Sequence, residues 1–200
     1  MKGRKVWEIG GFVAGAVLIV FGAVAIYMGV TGFNTVRDSI TQENIVFGTA
    51  DDPAVAEHAE QWAGEQVKTG DQARAFALIM RDHALEASGG LTYAEMGRYV
   101  SADNPNDPAG TSDPNAAQKD ADGNPVSNAA RNTWVTATSL STALNMSYMA
   151  EQLAIFGLVV GVALLLTGVG LVILAFAVFG RFESAVEAEA PTMPTAAVAS

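Results

Sequence analysis

The chain has 200 residues and only 16% charged side chains, with 21 acidic against 11 basic for a net charge of −10. Ordinary globular proteins carry about 25% charge. The mean hydropathy of +0.25 is too apolar for an acidic disordered chain and too mild for a channel built mostly of spans. Without cysteine there is no disulfide framework, thiolate metal site or cysteine nucleophile. The acidity excludes nucleic acid, which is held by clustered Lys and Arg.

The first apolar run, Ile9 to Val30, contains no charge. At about 1.5 Å per residue it covers a hydrocarbon core of about 30 Å. Lys2, Arg4 and Lys5 precede it, which places the N-terminus in the cytoplasm. Ala23-Val24-Ala25 resembles a signal-peptide cleavage site, but the apolar run continues beyond it, longer than the h-region of a cleaved signal. An uncleaved anchor is expected.

Residues 31–152 hold 17 acidic and 7 basic side chains, and so the whole net charge. Thr35 to Val46 reads as an outward extension of the first helix. Asp51-Asp52-Pro53 is a start signal for a helix running to about Gln66, with Val55, Ala59 and Trp62 on one face. Asp71 opens another helix, with Phe76, Ile79, Met80, His83 and Ala87 at helical spacing, stopped by Gly89-Gly90. Thr92-Tyr93-Ala94-Glu95 matches a capping box before a short helix ending near Tyr99. Nothing alternates with period two, so strands are not expected. Ser101 to Asn128 is rich in Asp, Asn, Pro and Gly and reads as a flexible loop, expected over 101–128.

From Asn132 to Gly180 the only charged side chain is Glu151. The second apolar run, Leu153 to Phe179, is followed by Arg181 and then an Ala-, Pro- and Thr-rich segment. With no Pro or Gly from Val126 to Phe156, one continuous helix is expected to begin outside the membrane and become the second span. A freestanding helix in water normally shows charge on its outer face. The stretch from Asn132 to Ala150 shows none, so it is expected to be covered by the ectodomain helices together with another subunit, and Trp134, Leu140, Leu144 and Tyr148 are its candidate interaction residues.

The fold class expected is thus an all-α membrane protein. Two antiparallel transmembrane helices carry a helical extracytoplasmic domain, and the second span is continuous with a long ectodomain helix. The segments are 1–8 (cytoplasmic), 9–30 (first span), 31–152 (acidic, extracytoplasmic), 153–179 (second span) and 180–200 (disordered cytoplasmic tail). Both runs share a glycine spacing: Gly11, Gly15 and Gly22 in the first match Gly157, Gly161 and Gly168 in the second, and Gly29 extends the first stripe. Small residues four apart let bilayer helices approach closely, so these glycines are the expected helix-packing residues.

Other chemistry is sparse. Glu151 stands where the second run begins, at an interface within reach of water rather than on a deep proton path. His58 reads as a surface residue, and His83 as the edge of a core beside Phe76 and Met80. The acidic stretches 103–107 and 120–124 do not follow the EF-hand pattern. No nucleophile, phosphate-loop or dinucleotide motif appears. The expectation is no catalytic residue, no metal and no cofactor.

Three segments, Lys68 to Arg74, His83 to Arg98 and Arg131 to Thr138, resemble a family of uncharacterised actinobacterial two-span membrane proteins with an extracytoplasmic loop. The resemblance covers both spans and the structured parts of the loop, and leaves out the tail and 101–128. Members of that family are often labelled aromatic ring-opening dioxygenases. Such enzymes hold iron with two His and a carboxylate, and His58 and His83 stand in no iron-binding motif, so the label is not carried over. The function expected is non-enzymatic: a structural or accessory subunit of a membrane assembly, partnered by the lipid bilayer and by further copies or other membrane subunits. The alternative is an extracytoplasmic sensor or small-ligand-binding membrane protein.

Overall fold

The structure, a computed structural model, describes residues 2–188, with side chains from 9 to 177. Four helices carry the fold: α1 (Lys2–Gln42), α2 (Pro53–Ala59), α3 (Gly70–Ala87) and α4 (Ala129–Ala188). Single 3-10 turns follow α2 at Glu60–Trp62 and precede the long loop at Tyr93–Glu95. Pairing among the described residues is limited to isolated bridges. The expected tail begins within α4, which runs to Ala188; its remainder, 189–200, lies outside the described residues.

Two helices are long and apolar enough to cross a membrane, Ile9–Gln42 and Ala129–Ala177. Their most apolar windows are only 11% and 17% buried. Contacts divide the chain into two compact units, one of residues 1–30 with 155–200 and the other Thr31–Ala154.

In the second unit, α2 begins as its sequence dictates. The Asp52 carboxylate accepts the Ala54 N–H at 2.9 Å and Pro53 takes the first turn, where its missing N–H costs nothing. The helix stops at Ala59 rather than near Gln66. Residues beyond it are needed elsewhere: Phe47 N–H donates to Glu65 O and Val67 N–H to Ile45 O, both at 2.9 Å. Val67 is fully buried by that pairing, and Gly64, at φ +75, makes the turn that brings it back. Long-range pairing outweighs helix propensity here.

The cap of α3 is Thr69, two residues before the expected Asp71. Its hydroxyl accepts the Gln72 N–H at 3.2 Å, and Gln72 Oε1 accepts the N–H of Thr69 in return at 3.2 Å. Ala73, Ala77, Ile79 and Val55 form the centre of the core with Phe47 and Leu144. Phe47 stacks on Trp62 at 6.0 Å and meets Phe76 edge-on at 5.7 Å. A second cluster gathers Ala84, Met96 and Trp134.

The segment expected to be a flexible loop is tied together by backbone hydrogen bonds. Tyr99 bridges to Thr111 and Ser127, and Ser101 to Ala117. Asn128, 4% exposed, donates from Nδ2 to the carbonyls of Gly97 at 3.1 Å and Pro108 at 2.8 Å. A side chain on Gly97 would overlap the Thr111 backbone. Composition predicts little to bury in this segment, and that is right, but its backbone groups pair with one another instead of with water.

Candidate functional site

Along α4 in the second unit, the expected interaction residues all lie on the side turned towards the chain's own core and its groove. Trp134 and Leu144 are buried in the chain's own core, at 7% and 8% exposure. Ser141 Oγ on the same side donates to Ala77 O of α3 at 3.2 Å. Tyr148 is half-buried, with the Arg74 guanidinium 4.9 Å from its ring centre. Leu140 is half exposed. It lines an open groove of about 350 Å³ with Ile40, Phe76, Met80 and Leu144.

The other face is open. Val135, Ser139, Thr142, Met146, Met149 and Leu153 are all exposed. They recur at alternating steps of four and three, the spacing of a coiled-coil seam. Its polar members are spent internally: Ser139 Oγ donates to Val135 O and Thr142 Oγ1 to Thr138 O, each at 2.8 Å. Thr133, Thr136, Asn145 and Ser147 likewise donate to carbonyls four residues back. A donor already satisfied within its helix loses little when the face is covered. A surface of this kind accepts a neighbouring helix at small desolvation cost.

One turn further on lies the largest departure from the sequence reading. Glu151 is not in reach of water: it is 4% exposed. Its Oε1 accepts from Arg37 Nη2 at 2.8 Å and Nε at 3.2 Å, and its Oε2 accepts the Gly70 backbone N–H at the start of α3. The carboxylate thus joins α1, α3 and α4 and fills an anion-binding helix N-terminus. A Cβ on Gly70 would lie 2.8 Å from Glu151 Oε2 and 3.0 Å from Tyr148 Cα, so only glycine lets the helices meet this closely. The Arg37 guanidinium also lies 4.3 Å from the Phe33 ring centre. The sequence signal for this ion pair is a lone carboxylate in an uncharged run, with Arg37 the first basic residue beyond the first run.

The two histidines exchange the roles expected of them. His83, at 49% side-chain exposure, pairs through Nε2 with Asp52 at 3.0 Å, whereas His58, at 19%, pairs with Asp82 at 2.8 Å. They do not converge on one centre.

Two acidic groups are tuned by local backbone. The Asp120 carboxyl is held below its ordinary value, mainly by the Asn124 N–H at 2.8 Å. Glu95 is lowered by the Thr92 N–H at 2.8 Å, then by its hydroxyl at 2.7 Å, which completes the capping box read from the sequence. Both carboxylates are engaged in turns of the chain itself.

In the first unit, the glycines differ among themselves. A Cβ on Gly22 would lie 2.7 Å from Gly161 O and 2.7 Å from Leu165 N; one on Gly168 would lie 2.7 Å from Gly15 O. Gly15 and Gly161 are equally tight, each 2.9 Å from the opposing carbonyl. Gly157 is looser, 4.0 Å from Gly29 Cα, and Gly11, expected on the same face, has nothing within 4 Å. Phe12 and Phe176 meet edge-on at 6.0 Å.

The chain matches no protein-family model, no curated protein and no solved structure.

Proposed function

We propose that this chain is a non-enzymatic integral membrane protein that serves as a structural or accessory subunit of a membrane assembly and associates with further copies of itself through the open face of α4. In this reading 9–30 and 153–179 are antiparallel spans, both termini are cytoplasmic and 31–152 is extracytoplasmic. The three segments that resemble the two-span actinobacterial family agree with it. Lipid accounts for the exposure of Phe21 at 64%, Phe156 at 63%, Leu166 at 64% and Phe176 at 67%, a density of apolar side chains that water does not tolerate. The Lys and Arg flanking the first run set the orientation.

The observation that carries the assembly is the exposed seam from Val135 to Leu153. The rest of 31–152 carries a net charge of −10, so two copies approaching on most surfaces repel each other. The seam is free of charge, spaced for a helix partner and satisfied in its hydrogen bonds. Native mass spectrometry of the full chain released from lipid nanodiscs tests the reading. An oligomer that dissociates in Met146→Lys supports it, a complex with a different protein replaces the self-association, and a monomer overturns it.

A second reading, binding of a small apolar ligand, is favoured by the groove beside Leu140. Its volume of about 350 Å³ falls in the range of ligand sites. A ligand-dependent rise in the thermal midpoint, removed by Phe76→Ala, would favour that reading.

A further inference from the structure

Helices α2 and α3 pack over Val55, Ala59 and Ile79, each at most 2% exposed. Glu57 and His58 of α2 and Asp82 of α3 offer three donor atoms, all within 4.8 Å of one another. We propose that Glu57, His58 and Asp82 form a binding site for one divalent first-row transition cation of the zinc class.

Donor atoms about 2.1 Å from a tetrahedral ion stand about 3.4 Å apart. His58 Nε2 and Asp82 Oδ2 are at 2.8 Å, so a small outward shift of these side chains admits an ion in place of the shared proton. Glu57 is exposed and appears in no hydrogen bond of the described residues, so it is free to close over the ion as third ligand. His58 and Asp82 are partly covered, which leaves the outer side of the ion open to water. Two carboxylates neutralise a dication. The imidazole nitrogen selects zinc and its later first-row neighbours over calcium and magnesium, which prefer oxygen alone.

The helix bearing two of the ligands is held in place independently. Asp52 caps α2 and also receives His83 at 3.0 Å. That second His–Asp pair is chemically similar, but no third donor joins it among the described residues, so it serves as an internal control. The site lies on α2 and α3 and does not depend on the α4 seam.

Titration of the metal-free full chain in detergent with zinc chloride, and separately with calcium chloride, tests the site by calorimetry. One Zn²⁺ per chain is expected, with calcium at least about tenfold weaker. Glu57→Gln and His58→Gln should each weaken zinc binding by about tenfold or more, while His83→Gln leaves it unchanged. Zinc should also raise the thermal midpoint of the wild-type chain and of His83→Gln, because it binds the folded state alone. Should His58→Gln fail to fold, the exposed Glu57→Gln decides. No binding, calcium binding of equal strength, or zinc binding indifferent to Glu57→Gln overturns the proposal.

Discussion

The same two long helices, α1 and α4, are joined by different chemistry in the two units. In the first unit they meet backbone to backbone, with Gly15 against Gly168 and Gly22 against Gly161. In the second they are tied by Arg37 and Glu151, with the start of α3 supplying the third contact. In the proposed reading, with the first unit in lipid and the second outside it, the difference follows from the surroundings of each segment. In lipid there is no hydrophobic drive between apolar helices, so close van der Waals approach has to hold them. Outside it, a buried carboxylate is tolerable because its oxygens are satisfied by a guanidinium and a backbone N–H.

The sharpest way to break this comparison is to remove the polar tie. Glu151→Ala leaves Arg37 and the Gly70 N–H without their acceptor, and should destabilise the full chain by about 3 kcal/mol. Arg37 keeps partial access to water, which holds the loss to the lower end for buried pairs. Denaturant unfolding followed by tryptophan fluorescence measures it; a loss below about 0.5 kcal/mol would mean that the pair is ornamental.

Next in size is the glycine contact. Gly22→Leu forces a side chain into the Gly161 carbonyl and should cost about 2 kcal/mol by overpacking, whereas Gly11→Leu, in open space, should be neutral. Equal effects at the two positions in a thermal-unfolding comparison would show that glycine content, and not these particular contacts, matters.

A smaller effect is expected from acid on the Thr92–Glu95 box. The Glu95 carboxyl is lowered from its ordinary 4.5 by the Thr92 hydrogen bonds. A group depressed on folding contributes stability that is complete above its unfolded value and is lost as pH falls through the folded one. The stability difference between wild type and Thr92→Ala should therefore shrink as pH is lowered below 4.5. A difference that stays constant through that range removes the box from the account.

Much of this was legible in the sequence because the signals were local. The start of α2 at Asp52-Pro53, the Thr92–Glu95 box and the continuity of α4 through its uncharged run need only neighbouring residues to be read. The expectations that failed depend on partners far along the chain. The end of α2 is set by the pairing of 45–47 with 65–67, which no helical propensity reports. The start of α3 is the local exception, where Asp71, a good first-turn residue, competes with Thr69 as the cap. The position of Glu151 at the start of the second apolar run suggests contact with water, whereas its burial depends on Arg37, 114 residues away, and on a glycine that lets α3 come near. The uncharged helix, expected to be covered by ectodomain helices and another subunit together, buries Trp134 and Leu144 in the chain's own core and leaves a seam facing outward.

That seam is the central claim, and the absence of native cysteine makes it directly measurable. Single cysteines placed in turn from 133 to 150 in the full chain, oxidised in native membranes, report which positions face a second copy. The account predicts disulfide-linked dimers peaking at Ser139, Thr142, Met146 and Met149, with troughs at Ala137 and Leu144. Uniformly low crosslinking, or a maximum on the Leu144 side, would contradict it.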